Sequence, residues 1–110
     1  MMVLVMGVSG VAAFAADGSG SKAPLLIDVR TEAEWNDGHL EGAVLIPHEL
    51  IGDRITGVTG DKKAKIDLYC RTGRRSGIAL EILKKAGYGD VTNLGTMENA
   101  AEVLKRPIVK

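Results

Sequence analysis

The 110-residue chain has one cysteine, and it sits in the run Asp67-Leu-Tyr-Cys-Arg-Thr-Gly-Arg-Arg-Ser76. An apolar, strand-like stretch precedes Cys70, and a glycine-bearing, arginine-rich turn follows it. That order of residue types suits a reactive thiolate. Backbone N–H groups of a tight loop can converge on the sulfur, a helix N-terminus can lie behind it, and cations surround it. The loop Arg71, Thr72, Gly73, Arg74, Arg75 and Ser76 is therefore the expected anion cradle, with Cys70 as the nucleophile. A buried cysteine acting as a small hydrophobe is the alternative. It fits poorly, because the six residues after Cys70 include three arginines and no large apolar side chain.

The elements that must hold this loop read as alternating strands and helices. The apolar run Pro24 to Val29 predicts a buried strand. Thr31 and Glu34 have the spacing of a capping box, which starts a short helix reaching about Asp37. Gly38 to Gly42 breaks that helix, Ala43 to Ile46 is a second short strand, and Pro47 stops it. Glu49 to Ile55 can form a short helix, and Thr56 to Lys63 has turn composition.

Lys65 to Tyr69 is the strand that delivers Cys70. A helix from about Arg75 to Ala86 follows, with Ala79, Ile82, Leu83 and Ala86 on one face, and Gly87 ends it. Val91 to Leu94 is a further strand, Glu98 to Leu104 a closing helix, and Pro107 opens the tail. Such alternation predicts one α/β domain around a largely parallel sheet, spanning residues 24–110. Sites in such sheets form at the carboxyl ends of strands, where Cys70 falls.

Residues 1–16 carry no charge. They are short for a membrane span, and Ala13-Phe14-Ala15 fits the small-x-small pattern of signal peptidase. Residues 1–15 are read as a signal peptide and 16–23 as a flexible leader, which implies export, periplasmic or otherwise, with no stable membrane insertion after processing. The basic residue that usually opens such a segment is absent, and an apolar N-terminal strand or helix is the other reading. Fourteen basic and fourteen acidic residues balance to zero net charge. That argues against nucleic acid as a partner, as does the scarcity of aromatics. With one cysteine no internal disulfide can form, and the expected state is a monomer.

The motifs Leu26-Ile-Asp-Val-Arg30, Gly38-His-Leu-Glu-Gly-Ala43, Ile46-Pro47 and Cys70-Arg-Thr-Gly-Arg-Arg-Ser76, in this order, resemble those of a single-domain rhodanese. The likeness runs from about Leu25 to Leu94, and the small size and leader resemble the periplasmic phage-shock-protein-E type. Many members have a second glycine where this chain has Thr96, and then an aromatic that is absent here. The resemblance implies a thiosulfate sulfurtransferase. Cys70 would carry a transferable sulfur as a persulfide, with no cofactor beyond that covalent intermediate and no metal.

On this reading, Cys70 takes the outer sulfur of thiosulfate, a small anionic donor, and cyanide or a thiol removes it. Arg71 and Arg74 would attract the donor, or remain solvated surface charges. Arg75 resembles the family arginine that pins the loop through a carboxylate. Asp28 is its expected partner, unless it is a plain turn residue, and Arg30 would add charge near the cleft or cap locally. His39 is read as a packing or hydrogen-bonding residue, His48 as surface, and Trp35 as an anchor of the first helix on the sheet.

Two rival readings stand beside this one. A carrier module would accept and pass on sulfur without turnover. Rhodanese-related phosphatases or arsenate reductases have five residues between cysteine and arginine, where this chain has four between Cys70 and Arg75. The shorter loop suits a single sulfur atom better than a tetrahedral oxyanion.

Overall fold

The apolar run after Pro24 forms strand β1 (Leu25–Asp28) at the heart of a four-stranded sheet. It lies between β3 (Val44–Leu45) and β4 (Lys65–Cys70), and β5 (Asp90–Thr96) pairs with the far side of β4. All three pairings are parallel, as the strand–helix alternation predicts. The computed structural model describes residues 24–110, so the expected signal peptide (1–15) and leader (16–23) lie outside the described residues.

Side chains alternate between the two faces of the sheet, as strand geometry requires. Ile27, Val29, Ile66, Leu68 and Cys70 join Ile51, Ile55, Ala79 and Leu83 on one face. Leu26 and Tyr69 join Leu40 and Ala100 on the other. A parallel sheet must bury both faces. Helix α3 (Arg74–Lys85) and the short α2 (Ile51–Arg54), flanked by 3-10 turns, cover the first. Helix α4 (Met97–Leu104) covers the second.

Helix α1 (Glu32–Asp37) begins with the expected capping box: the Glu34 N–H donates to the Thr31 hydroxyl, and the Thr31 N–H donates to the Glu34 carboxylate. Its expected anchor behaves differently. No residue of α1 is fully buried, and half-buried Trp35 stacks flat on His39, with ring centroids 3.5 Å apart, rather than packing into the core of the four-stranded sheet. A six-residue helix on a loop shoulder has no apolar stripe to bury, so its aromatic ring finds the nearest flat partner.

The chain end also differs from the expected tail: β6 (Ile108–Val109) pairs antiparallel with β2 (His39–Leu40). Pro107 precedes this strand rather than ending the structure, and its carbonyl accepts from the Glu41 N–H. Thr96, where the resemblance leads one to expect glycine, caps α4 by accepting from the Asn99 N–H. His48 is half-buried, and its N–H donates to the Val29 carbonyl. No helix among the described residues is long and apolar enough to cross a membrane.

The fully buried Tyr69 ties the sheet to β2, its hydroxyl oxygen accepting from the Leu40 N–H at 3.0 Å. Tyr69→Phe should therefore lower stability by about 1–3 kcal/mol, the cost of an unsatisfied buried donor. Urea unfolding would show this as a lower midpoint at unchanged slope; an unchanged midpoint would mean that the hydroxyl contributes nothing.

Candidate active site

Cys70 is the last residue of β4, and the chain turns at once into a loop that becomes α3. Gly73 is the N-cap of that helix and sits at φ +99°, where any side chain is strained. A Cβ there would also meet the Gly95 backbone at 3.4 Å. The tight turn places the Gly73 N–H 2.9 Å from Cys70 Sγ, donating to it, with the buried Ser76 hydroxyl at 3.5 Å. Helix α3 starts at Arg74, one residue before the position that apolar spacing predicts.

The sulfur itself is fully buried, which alone would push its thiol pKa up. The Ser76 hydroxyl and the backbone N–H groups of Ser76, Gly73 and Thr72 outweigh that penalty and hold it below the ordinary cysteine value. The buried-hydrophobe alternative is thus half correct. Cys70 packs among Val29, Leu68 and Ala79, yet its sulfur atom faces donors rather than hydrocarbon.

The charged residues pair differently from the sequence expectation. Arg75 does not bind Asp28. It makes two hydrogen bonds to Glu34 of α1, at 2.8 and 2.9 Å. Asp28 is fully buried and takes its partner from two residues away: the backbone N–H and guanidinium of Arg30 turn back onto its carboxylate at 2.7–3.1 Å. Arg30 also donates to the Gly38 carbonyl and lies over the Tyr69 ring. The local pair forms because a buried carboxylate at a strand end meets the first cation that the chain can return to it.

Glu34 is the residue that sequence reasoning saw only as a cap. Its carboxylate accepts from the Thr31 backbone and hydroxyl while bridging to Arg75, and Arg71 reaches it at 3.4 Å. The Arg75 guanidinium, helped by Thr31, holds the Glu34 carboxyl well below the usual carboxylate range against the opposing effect of burial. Asn93 also escaped the sequence reading: it accepts from the Ser76 hydroxyl at 2.6 Å and donates to the Gly73 carbonyl at 3.0 Å. No signal marked it in the sequence, because Asp90, Thr92 and Thr96 of the same strand are polar too.

Of the predicted loop residues, Thr72 and Arg74 are exposed, and the Thr72 hydroxyl accepts from the Arg74 N–H. The Arg71 side chain is 72% exposed. A cleft of about 180 Å³ opens beside the loop, with Arg30, Asp37, Arg71, Met97 and Glu98 among its walls. The His39 Nδ1 contacts the Trp35 carbonyl at 2.9 Å, as a packing and hydrogen-bonding residue would.

A cysteine at a parallel strand end, held in a cradle of loop amides that runs into a helix, defines this as a cysteine-loop α/β protein. A family model described as the rhodanese-like domain matches residues 11–99, and the chain belongs to that family. It is 39% identical over 75 residues to the thiosulfate sulfurtransferase PspE of Escherichia coli, covering 68% of this chain and 72% of that protein. A sulfurtransferase of Allochromatium vinosum is 41% identical over 70 residues, 64% of either chain. Among solved structures, a rhodanese with anions from E. coli superposes with a TM-score of 0.73 at 38% identity, covering 80% of this chain and 99% of that one.

The Glu34–Arg75 bridge makes a signed pH prediction. A depressed carboxyl contributes stability that is full above the ordinary carboxylate pKa and is lost as pH falls toward the folded value. Glu34→Gln should cost roughly 1–3 kcal/mol at neutral pH, as for hydrogen bonds to charged groups. That gap should narrow below about pH 4. Paired urea titrations at pH 7 and pH 3 check it, and a gap that does not change with pH would exclude an ionic role.

Proposed function

We propose that the protein is a thiosulfate sulfurtransferase that works through a persulfide on Cys70. The observation carrying this reading is the buried Sγ with the Gly73 N–H at 2.9 Å and a thiol pKa held below its ordinary value. A thiolate so prepared needs no general base. It attacks the outer sulfur of thiosulfate, forming the Cys70 S–S bond as the bond between the two thiosulfate sulfurs breaks. Sulfite leaves with the electron pair. Cyanide, or a thiolate, then attacks the outer persulfide sulfur, and the pair returns to Cys70 as thiolate. The amides of the loop and the N-terminus of the twelve-residue α3 offer positive potential to the anion at each stage.

Arg71 and Arg74 are exposed at the loop and suit the sulfonate of an anionic donor, whereas Arg75 and Arg30 are occupied by Glu34 and Asp28. On this reading the first pair binds and the second positions. The name carried by PspE supports thiosulfate as donor. The uncharged run 1–15 supports export as the setting, where a lone thiolate would depend on persulfidation or reductant against oxidation.

Intact mass after exposure to thiosulfate should rise by one sulfur atom, and cyanide should remove it as thiocyanate. Repeated turnover makes the protein an enzyme. A single discharge would make it a carrier, and no mass gain would remove thiosulfate as donor. Cys70→Ser should abolish loading while leaving unfolding by urea nearly unchanged; a variant that no longer folds would make the cysteine structural. Arg71→Ala and Arg74→Ala should raise KM for thiosulfate about three- to tenfold with kcat little changed, as expected when an exposed charged hydrogen bond is lost. Unchanged KM would leave both as solvated surface charges.

A further inference from the structure

We propose that Asn93 is a positioning residue for the sulfur chemistry, holding both side-on donors of Cys70 in place from the neighbouring strand. This rests on Cys70 being the reacting thiol. Among the donors around Sγ are Gly73, through its N–H at 2.9 Å, and Ser76, through its hydroxyl at 3.5 Å. Asn93 holds both residues. Its Nδ2 donates to the Gly73 carbonyl at 3.0 Å, and its Oδ1 accepts from the Ser76 hydroxyl at 2.6 Å.

A register irregularity makes this possible. Leu68 pairs with Asn93 and Cys70 with Thr96, so two steps along β4 meet three along β5. The extra residue turns the strand at Gly95, φ +82°, whose N–H donates back to Asn93 Oδ1 at 2.9 Å. The Asn93 amide is thereby fixed toward the cysteine loop, and Gly95 comes against Gly73. Gly73, in its left-handed conformation, is then pinned on both sides. Its N–H meets sulfur, and its carbonyl accepts from Asn93 and from the Gly77 N–H.

The Ser76 hydroxyl has one proton and three acceptors in reach: Asn93 Oδ1 at 2.6 Å, the Gly73 carbonyl at 3.2 Å and Sγ at 3.5 Å. With neutral sulfur the proton rests on Asn93. An anionic sulfur is the stronger acceptor and draws it across, while Oδ1 keeps the Gly95 N–H as donor. When the charge moves to the outer atom of a persulfide, about 2 Å away, the hydroxyl can return. Asn93 thus supplies the resting position of a hydroxyl that answers the charge on sulfur.

The test reads thiolate formation directly, through the pH dependence of Cys70 alkylation by iodoacetamide in the folded protein. Asn93→Asp keeps an acceptor for Ser76, turns the Gly73 partner from donor to acceptor, and adds negative charge beside the sulfur. It should raise the alkylation midpoint by about one pH unit. Asn93→Ser, which removes the long amide without adding charge, should shift it upward by less. Arg71, Arg74 and Arg75 on the loop and α3, Asp28 on β1 and Glu34 on α1 remain in every variant, so the differences belong to Asn93. Circular dichroism checks the fold, and if the aspartate variant does not fold, the serine variant carries the test alone. Midpoints that coincide with the unaltered protein would overturn the proposal and leave Asn93 as a shaper of the β5 turn. This readout needs no thiosulfate, so failure of the sulfur-transfer reading would be seen separately.

Discussion

A sulfur atom buried at the end of a strand and turned toward fixed donors is the constraint around which this protein is arranged. Cys70 has no exposed surface, so the water that would solvate its charge must be replaced by fixed donors. Those donors come from a loop that turns within three residues, and such a turn needs Gly73 in a left-handed conformation. Gly73 also lies against the irregular end of β5, where a Cβ on it would meet the Gly95 backbone at 3.4 Å. Helix α3 then begins where the loop ends, adding its free N-terminal amides to the same small volume.

Around that centre, burial sorts the charges. Asp28 and Arg30 form an inward pair at the end of β1, satisfied by a bifurcated set of hydrogen bonds and by the Gly38 carbonyl. Glu34 and Arg75 form a second pair nearer the surface, with 17% and 20% of their side chains exposed. Buried pairs of this kind add less to stability than to geometry, because desolvation offsets much of their attraction. Their effect here is to hold α1 against the cysteine loop and to keep two arginines away from solvent. Arg71 and Arg74 are left outside, where charge can meet a diffusing anion.

Much of the fold was legible before any coordinates. The strands expected at 24–29 and 65–69 and found at Leu25–Asp28 and Lys65–Cys70, the capping box at Thr31 and Glu34, and the helix closed by Gly87 all follow from patterns spanning a few residues. So does the place of Cys70 at the head of a tight loop, because a glycine turn rich in arginine after an apolar strand restricts what a cysteine there can be. The partnership of Arg75 was not legible. Asp28 and Glu34 both offered a carboxylate, and choosing between them required knowing which one the chain had already paired with Arg30. Trp35 misled for a similar reason, since an aromatic on a short helix reads as an anchor until its neighbour His39 is seen beside it.

The sequence by itself determined the local pieces, because a cap, a turn or a strand is settled by hydrogen bonds and apolar spacing within a few positions of the chain. Only the tertiary structure decided which distant groups meet: Glu34 with Arg75 across 41 positions, Tyr69 with Leu40 across 29, and Asn93 with Ser76 across 17. The last of these depends on a single extra residue in β5, and a strand slip of one position would carry Tyr69 or Asn93 to the opposite face. The cysteine and its loop were thus legible in the chain, while the groups that surround them came from the packing of parallel strands.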